Sequence, residues 1–246
     1  MIIMENRFKG FKIRSISFAE IPEDQKGCDR LVYSLCKKED SEIKPNGFEA
    51  YEIWHTSVDL DKPYSNDYKL DGFGFDGTTR ANIHRAVTAG ITYRINEDWD
   101  NYITLQNKFL KLKKLYPKPY TKESLQQYKG FLITTYHENI MLEGGYFVIE
   151  DDILWTQSIC SYRVIDPQYG KLCSHASRFL YYNAMKYGKE QHCRKLYFGI
   201  GKDMDNPTTV AKFKLGFGGT PFKKNIYVKD YNPLLKVAGK FGIGNF

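Results

Sequence analysis

Hydrophobic and polar positions are ordered unevenly along this chain. Over the first ~75 residues the pattern is irregular. Two segments stand out there. Arg30–Lys38 (RLVYSLCKK) reads as a short helix, and Tyr51–Leu60 (YEIWHTSVDL) alternates and is rich in β-formers, so it reads as a strand. The glycine-rich Asp71–Gly77 (DGFGFDG) closes this region. From Thr78 the pattern sharpens. TTRANIHRAVTAG predicts a helix capped by Thr78 and stopped by Gly90, and Ile91–Ile95 predicts a strand. Glu97–Tyr116 predicts a long amphipathic helix that opens with acids and closes with lysines, as the helix dipole favours. Thr121–Gly130 predicts a second helix with Thr121 as its cap. Three strand-like runs follow, Phe131–Glu138, Met141–Asp151 and Ile153–Arg163, separated by polar pairs that predict an antiparallel meander. His175–His192 predicts a helix, Lys195–Gly201 a buried strand, Asn206–Gly218 a short helix and Pro221–Val228 a last strand.

Composition narrows the class. The 246 residues are 42% hydrophobic and 15% aromatic, a globular mixture with enough chain to bury a core. The net charge of +7 favours acidic partners such as phosphates, nucleic acid or an anionic surface, although the denser run from Lys108 to Lys122 also suits a solvated helix face. Five cysteines, an odd number without a CxxC pair, fit neither a disulfide framework nor a zinc site; no metal is expected, and reduced thiols point to the cytoplasm. No apolar stretch reaches the ~18–20 residues needed to cross a bilayer, so stable membrane insertion is not expected, and the early lysines and arginines do not form a signal peptide. There is no GxSxG, Walker A or HExxH motif, nor a GxGxxG in a βα turn.

Two segments carry a resemblance. TTRANIHRAVTAGITYRI contains R-x-x-I-x-x-A-x-x-x-G from Arg80 to Gly90, and KLYFGIGKDMDNPTTVAKFKLGFGGTP contains F-K-x-x-F-G-G from Phe213 to Gly219. With the meander between them, the region from about residue 50 to 246 resembles the FemAB/FemX aminoacyl- and acyltransferases of the GNAT superfamily. The resemblance implies an α/β fold of the GNAT-like acyl-CoA N-acyltransferase kind, a central mixed, mostly antiparallel sheet flanked by helices. It implies one such domain over residues 51–246, with residues 1–50 as a partial extension packed on it.

The chemistry expected of the family falls on named positions. Acyl transfer develops an oxyanion, which a cation in a dry pocket stabilises. The Phe213-Lys214 pair matches the place where relatives do this work, and Lys214 is the leading catalytic candidate. Glu143 on a central strand is a candidate base for the acceptor amine, and Tyr181 or Tyr182 a partner for a leaving group. Ser174, His175, Ser177 and Arg178 open the helix that in ordinary GNATs receives the acyl-CoA pyrophosphate on its N-terminus, but the glycine pattern usual there is missing from QYGKLCSHAS. Gly216, Gly218 and Gly219 permit close backbone approach to a cofactor, and Arg80 and Arg85 suit a substrate phosphate or carboxylate. Each group has a plainer structural reading: helix core, cap, turn or solvated face.

The reading is an N-acyltransferase that moves an acyl group from acyl-CoA or acetyl-CoA to a small-molecule amine: a sugar, an amino acid or a cell-envelope or polysaccharide precursor. Aminoacyl-tRNA as the donor, with tRNA as a partner, is the alternative; a non-catalytic GNAT-like binding module is another. A homodimer is compatible with all three.

Overall fold

In the computed structural model of the chain, residues 1–8, 10–43, 46–62, 74–113, 119–201 and 209–235 are described, the side chains of residues 6–8, 200, 201 and 209 aside. The elements in chain order are β1 (Ile2–Phe8), β2 (Phe11–Ser17), β3 (Arg30–Ser34), β4 (Glu49–Asp59), α1 (Gly77–Thr88), β5 (Thr92–Ile95), α2 (Trp99–Leu112), α3 (Lys122–Gln126), β6 (Gly130–His137), β7 (Ile140–Glu150), β8 (Ile153–Ser161), α4 (Gly170–Glu190), β9 (Lys195–Gly201), α5 (Thr209–Leu215) and β10 (Thr220–Asp230). They belong to two compact units, whose boundaries fall inside β4, after Ile53, and inside β10, after Phe222.

The smaller unit holds the strands β1, β2, β3 and the body of β10, in that order. β1 pairs antiparallel with β2, β2 parallel with β3, and β3 antiparallel with β10. The described part of residues 1–50 therefore contains three complete strands where the hydrophobic pattern is irregular, and Arg30–Ser34 is a strand, not the helix expected. The reason lies in its burial. Leu31 and Tyr33 face one apolar cluster with Ile16 and Phe48, and Val32 faces another with Ile13, Ile226 and Val228. A strand buried on both faces shows a continuous apolar run without period 2, and such a run imitates a helical one.

The larger unit holds the residues on which the sequence analysis places its chemistry. Its strands run β4-β9-β8-β7-β6-β5, with β6, β7 and β8 forming the expected antiparallel meander. The two faces of β7 are covered by different helices. A Cβ on Gly144 would meet Tyr102 of α2, whereas one on the adjacent Gly145 would meet Leu180 of α4 and Ile159 of β8. Successive strand residues point to opposite faces, so α2 and α4 lie on opposite sides of the sheet. The main core lies on the α4 side, where Ile83 and Ala86 of α1, Leu180 and Met185 of α4, and Phe217 pack on Phe147, Leu154 and Leu196.

Helix ends moved relative to expectation for local reasons. Asp76, not Thr78, caps α1, accepting from the Thr79 N–H at 2.6 Å, and Gly90 at φ 71° ends that segment as expected. Thr121 caps α3 in a reciprocal box with Ser124. The helix expected from His175 begins at Gly170, one and a half turns earlier, straight from a 3-10 turn over Pro167–Tyr169. Ser174 is consequently a helix-interior residue and not an N-cap. The start expected for the short helix, Asn206–Pro207, lies outside the described residues, as does Asp71–Phe73 of the glycine-rich segment.

Candidate functional site around the β8–β9 split

The parallel neighbours β8 and β9 pair from Ile153↔Lys195 to Trp155↔Tyr197. Among the described residues their ladder goes no further, although β8 continues to Ser161 and β9 to Gly201. Beyond that point β8 stays with β7 as far as Glu143↔Ser161, and β9 stays with β4 as far as Trp54↔Gly201. The sheet thus splits between two strands that are each still paired on their outer side.

Both strands bulge where they part. Thr156 pairs with Phe147 and Ser158 with Tyr146, which leaves Gln157 as an extra residue in β8. On β9, Phe198 and Gly199 stand opposite the single residue Thr56 of β4, between Ser57↔Tyr197 and His55↔Ile200. Gly199 has φ 79°, a left-handed conformation that glycine adopts without a Cβ penalty. A bulge increases local twist and bends its strand, so one on each side of a shared ladder drives the strands apart.

Lys214 of α5 stands at this split. Its Nζ donates to the carbonyl of Gly199 at 3.2 Å, and the residue is 7% exposed. Burial pushes its pKa down to about 8. The preceding Phe213 packs at 5.1 Å from Phe217 and 5.7 Å from Tyr181, ring centre to ring centre. Tyr181 in turn contacts Phe198 of the β9 bulge at 4.9 Å and Phe147 of β7 at 5.7 Å. An apolar aromatic wall therefore backs the lysine.

Glu143 occupies a separate polar enclosure on the α4 side of the sheet. It is 2% exposed, accepts from the Ser161 hydroxyl at 2.6 Å, and is bonded by Ser177 of α4. Burial raises its pKa to about 8, against the lowering effect of the two hydroxyls. At neutral pH this carboxyl holds its proton.

The other expected residues distribute around these two centres. His175 is buried, its Nδ1 2.6 Å from the Asn82 side-chain oxygen of α1, and burial first, then Arg85, Lys171 and Arg178, lower its pKa. Arg80 donates to the Phe75 carbonyl at 2.6 Å, and Arg85 is exposed on the same helix. Tyr182 is core, edge-on to Phe75, with Lys186 over its ring. Gly216 lies against the start of α1: its carbonyl accepts from Asp76 N–H, and a Cβ there would come within 2.7 Å of Thr79 Oγ1. Gly218 turns the chain at φ 73°, and a Cβ on Gly219 would meet the Lys214 carbonyl at 2.8 Å. The close approach these glycines permit is thus to other parts of the protein. Ser174 accepts from Arg178, whose guanidinium lies over the Phe213 ring at 5.1 Å.

Sequence reasoning missed Ser161, Asn82, Gln157 and Gly199. Only the Gly-Ile-Gly end of β9 carried a signal, since glycine inside a strand marks a bulge or a close backbone approach. Among the described residues no cluster of three or more His, Cys, Asp or Glu side chains is placed to hold a metal ion, and no helix is long and apolar enough to cross a membrane.

No protein-family model and no curated protein matches the sequence. Solved structures do match its shape. FemX aligns with TM-score 0.62 at 11% identity, over 96% of this chain and 85% of FemX. The C-terminal DUF2156 domain of a protein assigned as a lysylphosphatidylglycerol synthetase from Agrobacterium fabrum aligns with TM-score 0.61 at 12% identity, over 98% and 84% of the two chains. L-PGS from Bacillus licheniformis aligns with TM-score 0.56 at 13% identity, over 88% and 73%. At these identities the likeness is one of fold. A mostly antiparallel sheet flanked by helices, split between two parallel neighbours, gives this chain a FemX-like fold.

Proposed function

We propose that this chain is an acyl- or aminoacyltransferase whose reacting carbonyl is received at the β8–β9 split beside Lys214. The observation that carries this reading is the buried Lys214 ammonium anchored on the carbonyl of the bulged Gly199. An acceptor amine attacks the carbonyl carbon of an activated ester or thioester. The carbonyl π electrons move to oxygen, and the Lys214 ammonium donates a hydrogen bond to the oxyanion. Collapse expels the ribose oxygen or the thiolate and leaves an amide; the proton lost by the amine reprotonates the leaving group or passes to a base. In a site walled by Tyr181, Phe198 and Phe217, where water is scarce, such a donor is worth roughly 10²–10³ in turnover. Glu143 has the pKa of a group that exchanges a proton near neutrality, and it acts as a base only in its ionised fraction.

Two donors fit this chemistry. Acyl-CoA follows from the GNAT resemblance. Aminoacyl-tRNA is favoured by the likeness to FemX and L-PGS and by the net charge of +7, which suits a polyanionic donor. The test is single-turnover transfer to a panel of amino sugars, amino acids and nucleotide-linked sugars. Acetyl-CoA and longer acyl-CoAs are supplied in one arm and charged tRNAs in the other. Transfer by the wild type that Lys214→Ala abolishes supports the reading. Transfer that Lys214→Ala leaves intact removes Lys214 from the mechanism, and no transfer from either donor class favours a binding module.

A further inference from the structure

A cavity of about 350 Å³ lies on the α2 side of the sheet, against the β6–β7 hairpin and the turn that follows β8. None of the residues placed at the β8–β9 split lines it. A bulge in the hairpin makes its floor. Thr135 pairs with Glu143 and Tyr136 with Met141, so Leu142 is an extra residue in β7. Leu142 joins the core on the α4 side, while the directly paired Tyr136 and Met141 meet Leu105 of α2. These three are buried. The ring of Tyr162, held edge-on by Tyr169 with ring centres 5.4 Å apart, closes one side. Tyr102 fixes α2 over this floor, since its hydroxyl is 2.6 Å from that of Ser158.

The mouth is polar. Asn101, Thr104 and Lys108 recur at helical spacing on one face of α2, and Asn139 lies in the hairpin turn. All four are exposed. Among the described residues no acid pairs with Lys108, and no hydrogen bond engages the side chains of the other three. The lining holds one charged side chain, Lys108, and no carboxylate. Asp98, which accepts from the Tyr136 hydroxyl at 2.7 Å, is itself paired with Arg94. An apolar floor with a few unengaged polar groups at its rim is the usual make-up of a small-molecule site, and the volume falls at the small end of the roughly 300–1,000 Å³ such sites span.

We propose that this cavity binds a small monocarboxylate with an apolar body. The carboxylate meets the Lys108 ammonium and the amide and hydroxyl donors of Asn101 and Thr104, and the body lies against Leu105, Tyr136, Met141 and Tyr162. One cation matches a single negative charge. A phosphate dianion suits the site less, because the floor offers it no donor: the Tyr136 hydroxyl is already given to Asp98. The inference goes beyond the transfer reading and does not rest on it.

The test is calorimetric titration of the full chain with hexanoate, phenylpropionate, leucine and phenylalanine, and with hexanamide and phenylpropanamide. At least one of the four carboxylates is expected to bind. The two amides, which keep the body and lose the charge, are expected to bind at least tenfold more weakly than the best carboxylate. Lys108→Met keeps an unbranched stem and is expected to lose at least tenfold in affinity for that carboxylate with an unchanged melting temperature. Lys111→Met removes an exposed charge of the same helix outside the cavity and is expected to leave the affinity unchanged. The methyl resonance of Met141 in the wild type is expected to shift on titration. Absence of binding by all four carboxylates overturns the proposal. So does an amide that binds as well as the best carboxylate, a Lys108→Met affinity equal to wild type, an equal loss in Lys111→Met, or a Met141 signal unmoved at saturation. The order of affinities names the source. Leucine or phenylalanine ahead of the other two makes the ligand an amino acid, and the reverse makes it a fatty or aryl acid; both orders support the site.

Discussion

The meander and the β8–β9 pair use the same strand, β8, in opposite ways. On its β7 side the ladder runs the whole way from Glu150↔Ile153 to Glu143↔Ser161, absorbing one bulge without losing the pairing. On its β9 side the pairing lasts three rows and ends at the bulges. The two sides differ in what is packed behind them. Gly144 and Gly145 let Tyr102 and Leu180 press onto both faces of β7, which locks the meander, whereas Gly199 lets β9 turn its carbonyl out of the ladder to meet Lys214. Glycine tightens one region and opens the other. Continuous pairing makes the scaffold, and the interrupted pairing leaves backbone groups outside the ladder.

The comparison breaks most severely at Lys214. Lys214→Ala is expected to keep the fold and lower turnover about 100-fold or more. The remaining wild-type turnover should decline as pH rises through about 8, where the ammonium loses its proton. Kinetics of both proteins from pH 6 to 9.5 check this. On the scaffold side, Gly130→Ala places a Cβ 2.2 Å from the Phe147 carbonyl oxygen, a backbone atom of the paired strand. The cost is about 1–3 kcal/mol or more, read from urea midpoints. Gly199→Ala sharpens the contrast. The left-handed φ costs roughly 1–2 kcal/mol, so the melting temperature falls by only a few degrees, but turnover should drop by at least tenfold as the bulge carbonyl shifts. An equal loss in both measures would make Gly199 merely structural.

A pH-dependent effect concerns Glu143. Its folded pKa of about 8 lies above its ordinary value of 4.5, so the folded protein binds this proton more tightly than the unfolded chain does. The stabilisation is full below pH 4.5 and is lost as pH rises towards 8. Glu143→Gln keeps the shape and cannot ionise. Its urea midpoint relative to wild type should therefore improve from pH 5 to pH 9, and a constant difference would show that Glu143 does not titrate on unfolding.

The larger unit was legible because its elements carry local signals. Thr121 with Ser124 announced α3, Gly90 the end of α1, and the polar pairs at Glu138-Asn139 and Asp151-Asp152 the meander turns. Lys214 was legible only through the resemblance, since a lysine two residues before a glycine is ordinary in any helix end. The first strands were not legible. Arg30–Ser34 buries both faces and gains one partner, β10, from residues far along the chain, whereas β2 pairs with β1 across a hairpin. The start of α4 was misplaced because no side chain caps it.

By itself the sequence determined which segments are helix or strand wherever a cap, a turn pair or a period marks them, and it determined the charge that suits an anionic substrate. Only the tertiary structure decided where the sheet splits, that Lys214 meets Gly199, that Glu143 keeps a proton, and that the Arg178 guanidinium lies over Phe213. The physical reason is the same in each case. Bulges, desolvation and unmet hydrogen bonds depend on which residues are brought together across the chain, and no local pattern records that.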